Sequence, residues 1–281
     1  MKIIECPRDA MQGIGKFIPT DKKIAYINQL LKVGFDTVDF GSFVSSKAIP
    51  QLVDTAKVLN GLDLTNSSSK LLAVIANTRG AVTACDFEEI DCIGFPLSVS
   101  EEFQKRNTNK SISQALKMLE EIQNLSVKKN KKLVVYLSMA FGNPYLENYH
   151  PDIVAELIEK LHSIEVRIVA LSDTIGVSSS ENIPPLFSTL IKEYPVIEFG
   201  AHFHTTQDSW REKVEAAYQN GCRRFDSALK GYGGCPMAKD DLVGNMPTEK
   251  LITYFREDLG LNLDELEKSL EVTSSIFKIG V

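Results

Sequence analysis

Short apolar runs rich in β-branched residues alternate with amphipathic helical patterns about eight times along the chain, at intervals of roughly 30 residues. The predicted strands occupy residues 3–6, 37–40, 70–76, 89–96, 133–138, 167–173, 196–199 and 223–229. Parallel strands need a long crossover, usually a helix, so this alternation predicts a parallel sheet. Eight such units in a chain of 281 residues match the size of an α/β fold of the (β/α)8 TIM-barrel type.

One domain is enough to hold all of these units. The helical patterns lie at about 22–33, 50–59, 78–86, 180–193, 210–220, 247–258 and 263–277, with two more beginning at Ser113 and Pro151. We predict a single catalytic barrel over residues 1–281, with extra C-terminal helices over about 260–281. A doubly wound open sheet is the alternative, but no G-x-G-x-x-G motif follows the first strand, which argues against a dinucleotide site.

Charge and composition argue against several kinds of binding partner and cellular location. The net charge is −6 and the pI about 5.4, which argues against nucleic acid or an anionic membrane. No apolar run approaches the ~18 residues of a membrane span, and the first residues lack the pattern of a signal peptide. The five cysteines have no regular spacing and do not form a disulfide pattern. We expect a small-molecule partner and a cytoplasmic location.

Two of the four histidines lie two residues apart, just after the apolar run at 196–199. Residues two apart in a strand point to the same face, so His202 and His204 project together while Phe203 turns away. Neutral imidazoles on one face at this spacing suit a divalent metal. The alternative is a pair of partly buried strand histidines without a metal.

Polar side chains also stand at the ends of other predicted strands. They are Arg8 and Asp9 after the first strand, Asp39 in the second, Asp173 and Thr174 at the sixth, and Asn245 beyond the eighth. Barrel active sites gather at the C-terminal ends of the strands, so one pocket is predicted to hold them. A mixed set of one carboxylate, two imidazoles and one amide oxygen is supplied by Asp9, His202, His204 and Asn245. Such a set favours Mg²⁺ or Mn²⁺ and would also accept Co²⁺ or Zn²⁺.

Two further residues near this set suit proton and charge chemistry. Arg8 carries a permanent charge and can hold a carbonyl oxygen that becomes an enolate. It can also form a salt bridge to Asp39 or Asp173, and the two roles are compatible. Cys235, between two glycines and a proline, is predicted to lie in an exposed loop where it can transfer a proton.

The other cysteines have no such setting. Buried, inert thiols are predicted for Cys6, Cys85, Cys92 and Cys222, as for most cysteines.

Six motifs, in family order and spread over nearly the whole chain, make a resemblance specific. They are Pro7-Arg8-Asp9-x-x-Gln12, Ser42-Phe43-Val44-Ser45, Ser172-Asp173-Thr174-Ile175-Gly176, His202-x-His204, Gly231-x-Gly233-Gly234-Cys235-Pro236 and Gly244-Asn245-x-x-Thr248-Glu249. The chain resembles the hydroxymethylglutaryl-CoA lyases of the DRE-TIM metallolyase superfamily. It shows no mitochondrial leader and so resembles the bacterial form. The G-x-G-G-C-P loop is the most specific of the motifs.

The resemblance implies cleavage of (S)-3-hydroxy-3-methylglutaryl-CoA to acetyl-CoA and acetoacetate, in leucine degradation or ketone-body-like metabolism. It implies Mg²⁺ or Mn²⁺ at the four ligands above, with His202 or Asp9 as the base. The catalytic residues would be Arg8, Cys235, Asp173, Asp39 and His202. The substrate-binding residues would be Arg8, Gln12, Ser42, Lys16, Gly233 and Gly234. A homodimer through the barrel helices is also implied.

The chain departs from the family pattern at several positions. Asp39 stands where a glutamate is usual, and Thr205 follows the second histidine where aspartate is common. Ala10-Met11 replaces Gly-Leu, and residues 13–16 lack the usual N-E-K pattern, although Lys16 remains placed to meet the CoA phosphates. None of these changes removes a predicted metal ligand, but together they leave room for a related acyl-CoA substrate.

Two other functions stay open at this point. A condensing or aldolase member of the same superfamily, of the homocitrate- or isopropylmalate-synthase kind, is disfavoured by the Gly-Gly-Cys-Pro loop. A non-catalytic metal-binding barrel is disfavoured by Arg8, Asp9 and Cys235, because a scaffold needs only the core.

Overall fold

The structure is a computed structural model that describes residues 1–234, 243–255 and 259–279. Eight strands form its barrel: β1 Lys2–Glu5, β2 Thr37–Ser42, β3 Lys70–Val74, β4 Cys92–Ser98, β5 Lys132–Ser138, β6 Ile168–Asp173, β7 Glu198–Thr205 and β8 Arg224–Ser227. Each strand pairs in parallel with the next, and β8 pairs with β1 to close the barrel. The prediction of a TIM barrel is therefore confirmed.

Helices follow the strands around the barrel. They are α1 Pro7–Gln12, α2 Thr20–Leu31, α3 Thr55–Asn60, α4 Thr78–Cys85, α5 Glu101–Thr108, α6 Ile112–Lys128, α7 Pro151–Ser163, α8 Ile183–Glu193, α9 Trp210–Gln219, α10 Thr248–Phe255 and α11 Leu263–Ile279. A short strand, β9 Gly244–Asn245, pairs antiparallel with the end of β7.

Three helical segments differ from the sequence prediction. No helix was predicted between the first strand and the helix at about 22–33, but α1 lies there, with Pro7 in its first turn, a position that suits proline. Helix α5 was not predicted because it is mostly polar and gives no apolar period. Ser100 caps it by accepting a hydrogen bond from the Phe103 amide at 3.0 Å. The helix predicted over 50–59 is divided into a 3₁₀ turn, Pro50–Leu52, and α3.

Alternation along the strands separates two apolar layers. Val135 and Leu137 of β5 pack against the helices in the main core, whereas Val134 and Tyr136 face the inside of the barrel. Towards the C-terminal ends of the strands the inward-facing positions become polar, and this is where the candidate site lies.

The predicted C-terminal helices pack on the barrel. On α11, Glu265 accepts a hydrogen bond from Gln29 Nε2 of α2 at 2.8 Å, and Phe277 meets the edge of the Tyr26 ring. Within the described residues, no helix has both the length and the apolar composition needed to cross a bilayer.

Glu5, at the end of β1, is a completely buried carboxyl group. It accepts hydrogen bonds from the Leu229 amide at 2.9 Å and from the Thr248 hydroxyl. Burial raises its pKa from 4.5 to about 8, against the lowering effect of those two hydrogen bonds. The folded protein therefore keeps a proton that the unfolded chain releases above pH 4.5, so stability falls as the pH rises towards 8.

We expect Glu5→Gln, which mimics the protonated carboxyl, to remove most of this pH dependence. The shift corresponds to on the order of 5 kcal/mol lost between the two pKa values, so at pH 8 the variant should unfold at a higher temperature than the unchanged protein. Thermal unfolding in EDTA at pH 6, 7 and 8 checks this, with the exposed Glu193→Gln as the control. Equal pH slopes for Glu5→Gln and the unchanged protein would show that Glu5 is ionised.

Candidate active site

Helix α1 places two neighbouring charged residues over the mouth of the barrel. Arg8 and Asp9 lie in its first turn and are only 7% and 6% exposed. Because β1 ends at Glu5 and Pro7 starts the helix at once, both side chains are held by a rigid element rather than by a loop.

Arg8 is fixed by two carboxylates. Its Nη2 and Nε lie 2.6 and 3.0 Å from Asp39 Oδ2, and its Nη1 lies 2.9 Å from Asp9 Oδ1. Burial disfavours the charged guanidinium, but Asp39 and Asp9 outweigh it and raise the pKa of Arg8. Burial raises the pKa of Asp39 to about 6 even though Arg8 opposes the shift. The arginine is thus a permanent, preorganised cation at the pocket.

Asp9, His202 and His204 form the group that can hold a metal ion. One ligand atom from each lies within 4.8 Å of the others. Burial favours the neutral acid at Asp9, but Arg8 and the two histidines outweigh it and lower the pKa of this carboxyl. The carboxylate is therefore ionised and ready to bind a cation.

The two imidazoles differ in their surroundings. Burial, followed by the charge of His202, lowers the pKa of His204 to about 4, so this ring is neutral at neutral pH. Burial also disfavours charge on His202, but the hydrogen bond and charge of Asp226, with Asp9, outweigh it and raise its pKa. His202 Nδ1 lies 3.2 Å from Asp226 Oδ2, which leaves Nε2 to face the cluster.

Asp226 was not among the predicted site residues. It lies on β8 directly beside His202 of β7 and is 2% exposed. A carboxylate that holds the second nitrogen of a histidine fixes the tautomer and the orientation of a metal ligand. The available signal was an acidic residue inside the predicted strand at 223–229.

Asn245 lies beside the cluster because β9 pairs with β7 and places Asn245 opposite His204. Its Nδ2 donates to Asp9 Oδ2 at 2.8 Å and to the Tyr232 carbonyl at 2.9 Å. Both amide hydrogens are thus engaged, and Oδ1 is the atom that can face a cation.

The structure shows why one position of the glycine-rich loop, Gly233, has to be glycine. Its φ is +94°, and a Cβ there would lie 2.7 Å from Asn245 Nδ2 and 2.9 Å from the Asp9 carbonyl oxygen. Only glycine allows the chain to pass this close to the two groups. Gly234 also has a positive φ, whereas Cys235 lies outside the described residues.

Asp173 is not on the face of the two histidines. The β6–β7 register pairs Ser172 with His202 and Asp173 with Phe203, so the Asp173 carboxylate points towards the helices. It accepts hydrogen bonds from Lys213 Nζ at 2.7 Å and from the Ser178 hydroxyl. The alternative salt bridge from Arg8 to Asp173 was therefore wrong, and the arginine pairs with Asp39 and Asp9.

The predicted substrate-binding residues are spread around the mouth. Gln12 lies beside the cluster, where it accepts from Arg8 Nη1 at 2.9 Å. The Ser42 hydroxyl donates a hydrogen bond to the Val74 carbonyl at 3.0 Å. Lys16 is exposed in the segment after α1. Burial of the four remaining cysteines, as predicted, is confirmed.

The donor set fits a divalent ion. It combines an ionised carboxylate, two imidazole nitrogens and an amide oxygen, with no thiolate, and this mixture suits Mg²⁺ or Mn²⁺ and tolerates borderline ions. The cluster is also adjacent to a fixed cation, Arg8, so charge can be stabilised at two neighbouring positions of one substrate.

Comparisons with known proteins show the family of the chain. Residues 2–272 match the HMGL-like family. A rat protein named 3-hydroxy-3-methylglutaryl-CoA lyase, cytoplasmic, is 33% identical over 282 residues, which cover 99% of this chain and 80% of the rat protein. The crystal structure of the Bacillus subtilis HMG-CoA lyase has a TM-score of 0.91 and 30% identity, and the match covers 98% of this chain and 93% of that one.

A third relative was solved with ligands. The structure of an HMG-CoA lyase from Acinetobacter baumannii, in complex with coenzyme A and 3-methylmalate, has a TM-score of 0.89 and 29% identity, and covers 98% of this chain and 90% of that one. Fold and site together define an α/β-barrel enzyme with its polar groups at the C-terminal rim. The chain belongs to the HMGL-like family, and its named relatives are carbon–carbon lyases.

Proposed function

We propose that this protein cleaves 3-hydroxy-3-methylglutaryl-CoA to acetyl-CoA and acetoacetate. The observation that carries the proposal is the arrangement at the barrel mouth, where the Asp9–His202–His204 cluster adjoins an arginine fixed by Asp39. Metal ligands beside a preorganised cation suit a reaction in which one oxygen loses a proton and another gains negative charge.

Asp9, His202, His204 and Asn245 would hold Mg²⁺ or Mn²⁺. When bound, such an ion supplies Lewis-acid polarisation of the tertiary hydroxyl and the neighbouring oxygens of the substrate. Support for four ligands comes from the 4.8 Å grouping of the first three and from the engagement of both Asn245 amide hydrogens.

Different residues of the chain carry out the proton transfers and stabilise the negative charge. Asp9 accepts the proton of the tertiary hydroxyl, because both ring nitrogens of His202 are engaged, Nδ1 with Asp226 and Nε2 with the ion it would hold. The resulting alkoxide becomes the ketone of acetoacetate as the C–C bond breaks. The bonding electrons pass into the thioester enolate, whose oxygen Arg8 stabilises. A proton then adds to the enolate carbon and gives acetyl-CoA. We assign this proton to Cys235, which follows Gly233 and Gly234 in the sequence; the Gly233 backbone lies close to Asp9 and Asn245.

Substrate contacts are part of the same proposal. The acyl-CoA would meet Arg8 and Gln12 at the reacting end, Ser42, Gly233 and Gly234 at the rim, and Lys16 near the CoA phosphates. The Acinetobacter baumannii relative solved with coenzyme A supports a CoA thioester. We also propose one catalytic domain, a cytoplasmic location, in line with the free cysteines, and a homodimer.

The test is acetoacetate release from hydroxymethylglutaryl-CoA by EDTA-stripped protein, before and after addition of Mg²⁺ or Mn²⁺. We expect no product from the stripped protein and restored turnover with about one ion per chain. No product despite one bound ion would contradict the proposed substrate but retain the metal site. Acetyl-CoA consumption with a 2-oxo acid would instead identify a condensing enzyme.

A further inference from the structure

Lys213, on α9, is a buried lysine that the reaction outlined above does not use. Its side chain is 3% exposed. Its ammonium lies 2.7 Å from Asp173 Oδ2, 3.0 Å from the Gly176 carbonyl and 2.9 Å from the His204 carbonyl. An ammonium has three hydrogens, and each has one acceptor here.

The three acceptors come from three different segments. Asp173 ends β6, Gly176 lies in the connection from β6 to α8, and His204 lies on β7. A lysine in the first turns of α9 thus joins the outer face of two neighbouring strands at their C-terminal ends. Burial of a lysine is costly without such a set of partners. The three acceptors offset that cost, and through them the lysine connects several segments.

The contact with His204 connects this lysine to the candidate metal centre. The His204 imidazole belongs to the cluster, and its backbone carbonyl accepts a hydrogen bond from Lys213. The same residue pairs with Asn245 across β7 and β9, and the Thr205 hydroxyl donates to the Asn245 carbonyl at 3.4 Å. The backbone that Lys213 holds therefore carries one proposed ligand and supports another.

We propose that Lys213 is a positioning residue for the metal centre, acting through the backbone of His204. The inference rests on the proposed metal site. Partners that hydrogen-bond a metal ligand from outside typically change metal affinity by about 10- to 100-fold when they are removed, and Lys213 hydrogen-bonds the backbone of one proposed ligand. Lys213 would set the affinity for the ion without touching it.

A second buried lysine provides a matched control. Lys23 of α2 is 2% exposed, lies 2.7 Å from Asp54 Oδ1 and also donates to the Gln51 carbonyl. It is an equally buried lysine–aspartate pair, but neither of its acceptors belongs to a proposed metal ligand. Loss of either lysine should destabilise the fold, and only loss of Lys213 should alter metal binding.

The experiment measures Mn²⁺ affinity by EPR titration of EDTA-stripped protein, together with thermal unfolding without metal. The variants are Lys213→Met and Lys23→Met, each also combined with Asp173→Asn or Asp54→Asn so that no unpaired buried carboxylate remains. We expect both Lys213 variants to bind Mn²⁺ at least about tenfold more weakly. Both Lys23 variants should bind as the unchanged protein does, at comparable losses of thermal midpoint.

Two outcomes would overturn the inference in different ways. Unchanged Mn²⁺ affinity in folded Lys213 variants, with a lower midpoint, would leave the lysine a purely structural role. Failure of the unchanged protein to bind Mn²⁺ would remove the proposed metal site itself. If neither Lys213→Met variant folds, Lys213→Arg keeps the charge but cannot present three hydrogens from one nitrogen; unchanged affinity in that variant would also contradict the proposal.

Discussion

Replacement of Arg8 by glutamine is expected to lower kcat for acetoacetate release by roughly 10³-fold while Mn²⁺ affinity stays within a few-fold of the unchanged protein. Loss of one preorganised oxyanion donor typically costs about 10²- to 10³-fold, and Arg8 supplies a full charge as well. Arg8 contributes no metal ligand. It donates to one oxygen of Asp9, but Gln12 and Asn245 also donate to that carboxylate and hold it in place, and loss of a neighbouring positive charge does not weaken the binding of a cation. The effect should therefore appear in turnover and not in ion binding.

The same substitution also affects folding, because Asp39 would lose its partner. A buried ion pair that loses one member typically costs about 3–5 kcal/mol. The pKa of Asp39 is already about 6, and loss of the arginine raises it further, so the carboxyl takes up a proton near neutral pH and limits the cost. We expect a moderate loss of thermal midpoint that is partly reversed below pH 6.

The double variant Arg8→Gln/Asp39→Asn separates the two effects. It removes both charges, so the thermal midpoint should recover while kcat remains low. The measurements are steady-state kinetics at saturating Mn²⁺ and thermal unfolding. Near-normal turnover in either variant would show that Arg8 does not stabilise the enolate.

Sequence periodicity predicted the barrel because buried parallel strands and amphipathic helices each leave a local signal. The same reasoning placed Arg8, Asp9, His202 and His204 at one rim, since all strands of a barrel end on the same side. The same reasoning did not separate the residues whose side chains point to the other face of a strand. Asp173 follows Ser172 by one position and so turns away from the histidines, as Phe203 does on the next strand.

The residues that sequence reasoning missed act through distant partners. Asp226 is defined by its neighbour on β7, 24 positions earlier, and Lys213 by acceptors on two strands and a connection. Glu5 depends on groups more than 220 positions away. Each is a charged residue that is itself buried, and only the register and packing of the folded chain show what it contacts.

Substitution of His204 by alanine should produce the opposite pattern to that of Arg8. We expect Mn²⁺ affinity to fall by more than about 100-fold, beyond the range for residues that only support a ligand, and turnover to be lost at micromolar Mn²⁺. The ring is neutral, with a pKa of about 4, so its removal leaves no unpaired charge. The metal-free thermal midpoint should therefore change by only a few degrees.

His162→Ala is the matched control, because His162 is an exposed histidine in the last turn of α7. It should bind one Mn²⁺ per chain with unchanged affinity and turn over normally. If His204→Ala bound Mn²⁺ as tightly as the control, the ion would lie outside the Asp9–His202–His204 cluster. Together the variants separate two requirements of the reaction, since loss of His204 removes the ion and loss of Arg8 leaves the ion bound but the enolate unstabilised.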